Sequence, residues 1–351
     1  MKTEDIKKML KPKEKKTLRY LNTGSTLLNL AVSGKINGGL PIGTYVLFVG
    51  DTNAGKSFLS KAFLAEASIN KSLDNYELIL DDVERSDFIN TEKFFGPKLA
   101  KRIQPPRTDS EGRPQPSETV EDLYKNVDAA LKRGPFVYIC DSETSLTCRA
   151  DVKKAEKDDG KGSYNLDKPK IHSTNLKRLL GPLERTGSVL VIINQTRDRI
   201  GFGSQFDPKT RPGGRALEFY STVQLWTSIK ERIKKRAAGK KRQVGILCRI
   251  RVKRTRVTGR DRTVDIPIYT SSGIDDVGSC INWLIEEGHW KGTKEIDGKV
   301  DAPEFQYNGS KEELVKKIED EGLEKELRAI VAEMWQEIED ACIVARKNRY
   351  A

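Results

Sequence analysis

Residues 45–57 read Tyr-Val-Leu-Phe-Val-Gly-Asp-Thr-Asn-Ala-Gly-Lys-Ser, and this stretch decides the fold. An apolar run, Tyr45–Gly50, opens directly into a turn that fits the phosphate-binding pattern G-x-x-x-x-G-K-[ST]. The next segment, Phe58–Ser68, carries apolar residues at helical spacing. A strand, a glycine-rich turn and a helix in this order favour a nucleotide site over the alternative, an ordinary glycine turn.

Each part of this turn has a chemical task. Its glycines let successive backbone N–H groups point toward phosphate oxygens, and the helix that follows adds its positive dipole end. Lys56 can neutralise the β and γ oxygens of ATP, and the Ser57 hydroxyl can ligate Mg²⁺. We therefore predict ATP and Mg²⁺ as cofactors. The predicted nucleotide contacts are Gly50, Asp51, Thr52, Asn53, Ala54, Gly55, Lys56, Ser57, Phe58 and Asp141.

Further apolar runs alternate with helical patterns along the chain. Glu77–Leu80, Phe136–Cys140 and Val189–Ile193 read as buried strands, and Glu118–Lys132 and roughly 171–185 read as helices. Strands that alternate with helices predict a mostly parallel sheet covered by helices on both faces. The expected fold class is therefore α/β.

Two acidic positions follow predicted core strands. Asp141 ends the run 136–140, and paired with the phosphate loop it is a candidate to hold Mg²⁺ together with Ser57. Glu84 follows the strand that begins near Leu78, where it can orient or deprotonate the attacking water. The alternative for Glu84 is a solvent-facing acid in an acidic turn, and the residues alone leave both interpretations open.

Positive charge is concentrated in one stretch. The 351 residues carry a formal charge of +12, with a pI near 9.3. Residues 229–262 alone hold 15 Lys or Arg against 2 Asp or Glu, a local +13. Such a run is either a solvated face or an electrostatic footprint for phosphates. Within it, Gly245–Val257 alternates apolar and basic residues, which predicts a half-exposed strand with a cationic outer face.

Cysteine usage and hydropathy exclude several protein classes. The five cysteines are an odd number with no paired metal-type spacing. The N-terminus is rich in lysine and lacks the apolar segment of a secretion signal. No apolar run approaches the length that spans a bilayer. These features predict a reduced protein of the cytoplasm.

Several short motifs together resemble RecA-family recombinases in order and spacing. Besides the phosphate loop they are Asn22–Ser25, Gly38–Gly43, Asp141–Ser142, Ile193–Gln195 and Gly213–Tyr220. The resemblance covers residues 18–276. It implies a RecA-like ATPase that hydrolyses ATP, forms helical filaments on single-stranded DNA and exchanges strands with a homologous duplex. The alternatives are a ring-forming helicase or regulatory ATPase on the same core, and a non-catalytic filament accessory.

The resemblance also assigns roles to residues. It makes Glu84 the glutamate that polarises water and Gln195 the glutamine that senses the γ-phosphate. Residues 156–165 and 201–214 resemble the first and second DNA-binding loops. Cations there can contact phosphates, while aromatic rings can stack on bases or instead be buried against the core. The predicted DNA contacts are Arg197, Arg199, Phe202, Phe206, Arg211, Gly213, Gly214 and Arg215.

Arg254 and Arg256 match two lysines that, in bacterial relatives, reach the ATP of the neighbouring subunit. In an extended segment they project to the same side, and arginine offers a planar fork to phosphate oxygens. The resemblance therefore implies an active site that is completed across a filament interface.

Some positions depart from the family pattern. Glu218 stands where bacterial members have a lysine, Phe88 is off the spacing of the adenine-stacking aromatic, and 107–117 and the basic hairpin 230–242 are extra. Such departures are typical of a divergent, phage-encoded branch, which acts in the host cytoplasm. We expect three parts: a short N-terminal oligomerisation arm (1–21), a core (22–272) and a small C-terminal α/β segment (273–351) that ends in a helix over 311–347.

Overall fold

The computed structural model describes residues 18–156, 167–198, 209–210, 214–293, 298–347 and 349. Its strands are β1 (Tyr20–Leu21), β2 (Leu40–Pro41), β3 (Tyr45–Gly50), β4 (Glu77–Asp82), β5 (Ile103–Gln104), β6 (Phe136–Asp141), β7 (Val189–Gln195), β8 (Arg197–Asp198), β9 (Lys209–Thr210), β10 (Val223–Ala237), β11 (Lys240–Thr255), β12 (Arg262–Tyr269), β13 (Gly273–Ile274), β14 (Lys291–Gly292), β15 (Lys299–Ala302) and β16 (Tyr307–Ser310).

The helices follow in the same chain order. They are α1 (Thr26–Ser33), α2 (Lys56–Ile69), α3 (Thr91–Arg102), α4 (Val120–Arg133), α5 (Arg149–Glu156), α6 (Asp167–Thr186), α7 (Ala216–Tyr220), α8 (Asp276–Glu286), α9 (Lys311–Glu321) and α10 (Glu324–Ala341). The strands and helices expected between residues 45 and 193 are confirmed, with boundaries shifted by a few residues.

One nine-stranded sheet organises the chain. Its order is β13-β12-β11-β10-β3-β7-β6-β4-β5. The six strands from β10 to β5 run parallel, and β11, β12 and β13 add to them antiparallel. The predicted α/β fold with a mostly parallel sheet is therefore confirmed.

Strand β3 shows why helices cover both faces of this sheet. All six of its residues are buried, and successive side chains point to opposite faces. Val46 and Phe48 pack into the apolar cluster that contains Leu59 and Phe63 of α2. Tyr45, Leu47 and Val49 join the opposite cluster, to which α4 contributes Leu123 and α6 contributes Leu176, Leu179 and Leu183. A central strand buried on both sides gives the phosphate loop that follows it a rigid base.

The strands β10 and β11 extend well past the sheet. β3 pairs with β10 only as far as Thr227, and β12 pairs with β11 only from Gly245 onward. Beyond these points the two strands pair with each other and close through Ala238 and Gly239, both at positive φ. The predicted basic hairpin is confirmed. We call residues 230–243 the basic ribbon.

The final helix differs from the sequence-based expectation. One helix over 311–347 is wrong, because α9 ends at Gly322 in the left-handed region (φ 69°) and α10 starts anew at Glu324. Both helices pack on α8, with Leu314, Leu327 and Trp335 in the same apolar cluster as the sheet. Among the described residues, no helix is both long and apolar enough to cross a bilayer.

Candidate nucleotide-binding site

The phosphate-binding loop joins β3 to α2 at the carboxyl edge of the parallel strands. Gly55 has φ 83°, a conformation that favours glycine, and a Cβ there would press on Ile268 Cδ1 at 2.8 Å. At Gly50 a Cβ would overlap the side chain of Thr227 on β10. The glycines of the motif are therefore explained by the sheet that packs around them.

Lys56 begins α2 and is buried. Its Nζ donates to the carbonyl oxygens of Gly50 (3.0 Å) and Asp51 (2.6 Å). Burial lowers the pKa of Lys56, although the nearby carboxylates of Asp141 and Glu84 oppose this effect. An ammonium enclosed in this way, at a helix N-terminus, is placed to exchange neutral carbonyls for phosphate oxygens.

Ser57 and Asp141 fit a magnesium ion. Burial raises the pKa of Asp141 to about 6; the hydrogen bond with Ser57 opposes this shift, and the charge of Glu84 adds to it. One hydroxyl and one carboxylate match Mg²⁺, which keeps several waters and takes its other ligands from phosphates. Among the described residues, no group of three His, Cys, Asp or Glu could hold a metal by itself. The oxygens of the nucleotide would be needed.

Glu84 and Gln195 come together from different strands. The Nε2 of Gln195, at the end of β7, donates to Glu84 Oε1 at 2.7 Å. Ser142 also donates to this oxygen, and Ser145 lies 3.4 Å from it. Glu84 thus has its side chain oriented at the edge of the phosphate loop, which is what a group that positions water needs.

These residues line one cleft of about 920 Å³. Lys56, Glu84, Asp141 and Gln195 belong to its polar lining. Its apolar lining consists of aromatic and aliphatic side chains: Phe58, Phe88, Ile89, Phe94, Ile246, Ile268 and Tyr269. Polar groups for phosphates and apolar surface for a base are what a nucleotide site needs.

Sequence reasoning missed part of the apolar lining of this cleft. Phe88 lines the cleft, but its side chain is 91% exposed, so it does not form a buried surface for stacking on a base. Ile268 and Tyr269 come from β12, more than 200 residues after the phosphate loop. Their alternation in a strand gave a local signal for burial, but only the order of strands in the sheet places them beside Gly55.

Most predicted DNA contacts lie outside the described residues. These are Arg199, Phe202, Phe206, Arg211 and Gly213. The backbone of Arg197 belongs to β8, which pairs with β9 and directly follows the Gln195 end of β7. Gly214 has φ 75°, and a Cβ there would lie 2.7 Å from Pro169 of α6. Arg215 is exposed at the start of α7.

Arg254 and Arg256 lie away from the nucleotide cleft of their own chain. Gln224 of β10 pairs with Arg254 on one side and with Leu47 of β3 on the other. Arg254 is therefore level with Leu47, which lies three residues, or about 10 Å, before Gly50 along β3. Arg254 donates to the carbonyl of Glu218 (3.1 Å) and Arg256 to that of Phe219 (2.9 Å). Both side chains therefore project to the same side, beside α7, and the structure does not bring them to Lys56.

Comparisons with known proteins agree with this site. A family model described as the RecA N-terminal domain matches residues 3–275. A Protein RecA of Rubrobacter xylanophilus is 31% identical over 273 residues, which are 76% of this chain and 71% of that protein. A Protein RecA of Mycobacterium ulcerans is 27% identical over 317 residues, 86% of this chain and 84% of that protein. The chain therefore belongs to the RecA family of DNA recombination and repair proteins, whose members are DNA-dependent ATPases.

Proposed function

We propose that this chain is an ATP-dependent recombinase that forms helical filaments on single-stranded DNA and pairs that strand with a homologous duplex. One observation carries the proposal. Lys56, Glu84, Asp141 and Gln195 converge at one edge of the sheet, and the predicted second DNA loop, 201–214, begins six residues after Gln195. The end of β7 thus lies in the nucleotide site and leads within a few residues to the predicted DNA-binding segment.

Each residue then has a task in ATP turnover. Lys56 and the loop N–H groups bind the β and γ phosphates, and Ser57 and Asp141 hold the magnesium ion, which supplies charge neutralisation when bound. Glu84 orients the attacking water. Gln195 contacts Glu84 and is placed to respond to whether the γ-phosphate is present.

Subunit contacts complete the proposed site. Arg254 and Arg256 lie too far from Lys56 to act within one chain, yet they sit together at an exposed edge beside α7. Placed against the nucleotide of a neighbouring subunit, the two guanidinium groups can neutralise phosphate oxygens. ATP hydrolysis then depends on assembly, so binding of ATP and growth of the filament favour each other.

The basic ribbon supports a polyanionic partner. It carries Lys or Arg at eight of its fourteen positions and a single acid, Glu231. Its side chains beyond Ile233 are exposed as far as Gln243. Charge at this density on a projecting hairpin attracts a phosphate backbone without reading its sequence.

An ATPase assay with electron microscopy of the same sample tests the proposal. Single-stranded DNA should stimulate hydrolysis, and ATP with DNA should give helical filaments. Closed rings would instead support the ring-forming motor, and absence of hydrolysis with and without DNA would support a filament accessory. Either result would reject the proposed function.

A further inference from the structure

A short turn after β6 connects the nucleotide edge with helix α6. Residues 142–146 form this turn, in which Glu143–Ser145 make one turn of 3₁₀ helix. Glu143 is fully buried although it is ionisable. A buried carboxylate needs specific partners because desolvation disfavours its charged form. The partners of Glu143 show what the turn holds in place.

The Glu143 carboxylate binds helix α6 with one oxygen and strand β7 with the other. Its Oε1 lies 2.8 Å from His172 Nε2 and 2.9 Å from Lys168 Nζ, both on α6. Its Oε2 accepts a hydrogen bond of 2.7 Å from Asn194 on β7. Tyr124 reaches the other ring nitrogen of His172 at 2.7 Å. Burial opposes ionisation, but His172 and Lys168 outweigh it and lower the pKa of Glu143.

The neighbouring residues of the turn face the nucleotide site. Thr144 donates to Asn194 Oδ1 (3.1 Å) and accepts from the backbone N–H of Gln195 (2.9 Å). Ser142 donates to Glu84, the other partner of Gln195. Consecutive side chains of one turn therefore hold α6 on one side and the pair Glu84–Gln195 on the other.

The first turn of α6 is also where both predicted DNA loops end. The first loop, 156–165, ends two residues before α6 begins at Asp167. The last residue of the second loop, Gly214, packs on Pro169 so closely that a Cβ would not fit. Lys168, between them, points inward, where its Nζ also donates to the carbonyls of Glu143 (2.9 Å) and Leu146 (3.0 Å).

We infer that Glu143 is a positioning residue that, through Lys168 and His172, couples the nucleotide-sensing pair Glu84–Gln195 to the base of the DNA-binding segments. This inference rests on the proposed function. A displacement of Gln195 reaches α6 through the turn, because the hydrogen bonds between them are short, directional and enclosed. Stability alone does not explain the charges, since apolar residues of similar volume often replace a buried ion pair without loss.

Two variants break the connection at different points. Lys168→Met removes the ammonium group that pairs with Glu143 and keeps most of the length of the side chain. Glu143→Gln keeps the volume but replaces an acceptor oxygen by a donor group. Arg178→Gln is the matched control: it lies on the same helix, ten residues or about 15 Å along the axis from Lys168, and breaks the bidentate pair with Asp128 (2.7 and 2.6 Å). Thermal unfolding of all three variants measures their structural cost.

The decisive quantity is the affinity for single-stranded DNA with a slowly hydrolysed ATP analogue divided by the affinity with ADP. We expect Lys168→Met and Glu143→Gln each to lower this ratio by about tenfold, within the usual range of coupling between two sites. The KM for ATP without DNA should stay within about twofold, because no phosphate contact is removed. Arg178→Gln should keep the wild-type ratio even where it lowers the unfolding temperature.

Two failures are distinguishable. If the DNA affinity of the wild-type protein is the same with the ATP analogue and with ADP, the proposed function is rejected, and the inference with it. A wild-type protein that shows the dependence, while both folded variants retain it in full, would reject the inference alone. A loss of the ratio in Arg178→Gln equal to that in Lys168→Met would also overturn it, since general loosening of α6 would then be the cause.

Discussion

At the scale of single residues, the contacts of the Glu84 carboxylate define the chemistry of the site. Its Oε1 accepts from Gln195 and Ser142, which leaves the carboxylate oriented at the rim of the cleft next to Asp141 and Lys56. Two donors on one oxygen restrict rotation of the side chain. An oriented carboxylate positions a water better than a freely rotating one.

Replacing Glu84 by glutamine should separate binding from turnover. We expect Glu84→Gln to bind ATP with nearly wild-type affinity while hydrolysis falls by about 10² to 10⁴, the usual contribution of a general base. Steady-state ATPase rates and nucleotide titrations measure the two quantities. Glu92→Gln, an exposed acid at the start of α3, is the control. Normal turnover in Glu84→Gln would remove Glu84 from the mechanism.

Single residues were predictable from the sequence where their signal is local. Lys56 and Ser57 stand in a contiguous motif, and Asp141 directly ends an apolar run. Glu143 gave no such signal, because its partners lie 25 residues away (Lys168) or further along the chain. In the sequence Glu143 is one acid in a polar turn. Only the packing of β6, β7 and α6 brings its carboxylate into contact with both α6 and β7.

At the scale of elements, the end of β11 meets the short helix α7. Arg254 and Arg256 both donate to carbonyls of α7, and Phe219 of that helix is exposed. An exposed aromatic beside two guanidinium groups is typical of a surface that contacts another protein. This edge is where we place the contact with the neighbouring subunit.

Removing both guanidinium groups should affect the assembled protein more than the single chain. We expect Arg254→Ala with Arg256→Ala to lower DNA-stimulated ATPase by at least about tenfold, the effect of one lost charge-assisted contact to phosphate. ATP binding by the dilute protein should persist. Arg251→Ala, on the same strand but paired with Asp261, is the control. Full-rate hydrolysis by the double variant would contradict a site completed between subunits.

At the base of the basic ribbon, the ion pairs of Asp265 depend on pH. Asp265 on β12 pairs with Arg249 on β11 (2.8 Å) and with Lys230 on β10. Burial alone would raise the pKa of Asp265, but hydrogen bonds from Arg249 and Lys230 lower it below its usual value. A lowered pKa means that folding favours the ionised form, so this stabilisation is present at neutral pH and is lost as the pH falls through the lowered value.

Asp265→Asn should therefore destabilise the protein by about 1 kcal/mol at pH 7, a value discounted for partial exposure to solvent. The difference from the wild type should shrink as the pH falls below the ordinary aspartate range near 3.8. Urea unfolding over a series of pH values measures it. A difference that stays constant across the series would show that the charge of Asp265 is not the cause.

Element boundaries show the limit of pattern reading. The apolar spacing over 311–347 fits one helix, and nothing in the periodicity marks the break after Glu321. Gly322 was the available signal, since glycine readily takes the left-handed conformation that ends a helix. The hairpin of β10 and β11, by contrast, was predictable because Ala238-Gly239 interrupts two alternating runs.

At the scale of the whole molecule, strand order could not be predicted from the sequence. The strands themselves are local patterns, but β11 and β12 follow β10 in the sheet order, so Ile246 and Ile268 complete a site that begins near residue 52. Pairing between distant segments leaves no periodicity in the chain. The resemblance to RecA-family proteins predicted the core and its site residues, but the order of the strands came only with the structure.

The distribution of charge gives a prediction for the molecule as a whole. Replacing Lys240, Lys241 and Arg242 by glutamine should lower the dependence of DNA affinity on salt, by about 0.7 in the log–log slope for each lost contact with a single strand. ATP binding should not change. The control replaces three exposed lysines elsewhere: Lys98, Lys101 and Lys132. An unchanged slope in the ribbon variant would show that the ribbon does not contact the DNA.

The central claim is that bound ATP determines whether this protein holds single-stranded DNA. Fluorescence anisotropy of a labelled oligonucleotide, with a slowly hydrolysed ATP analogue, with ADP and without nucleotide, tests it most directly. We expect tight binding only with the ATP analogue, and loss of that binding in Lys56→Ala but not in Lys98→Ala. Equal affinity under all three conditions, or unchanged binding by Lys56→Ala, would contradict the claim.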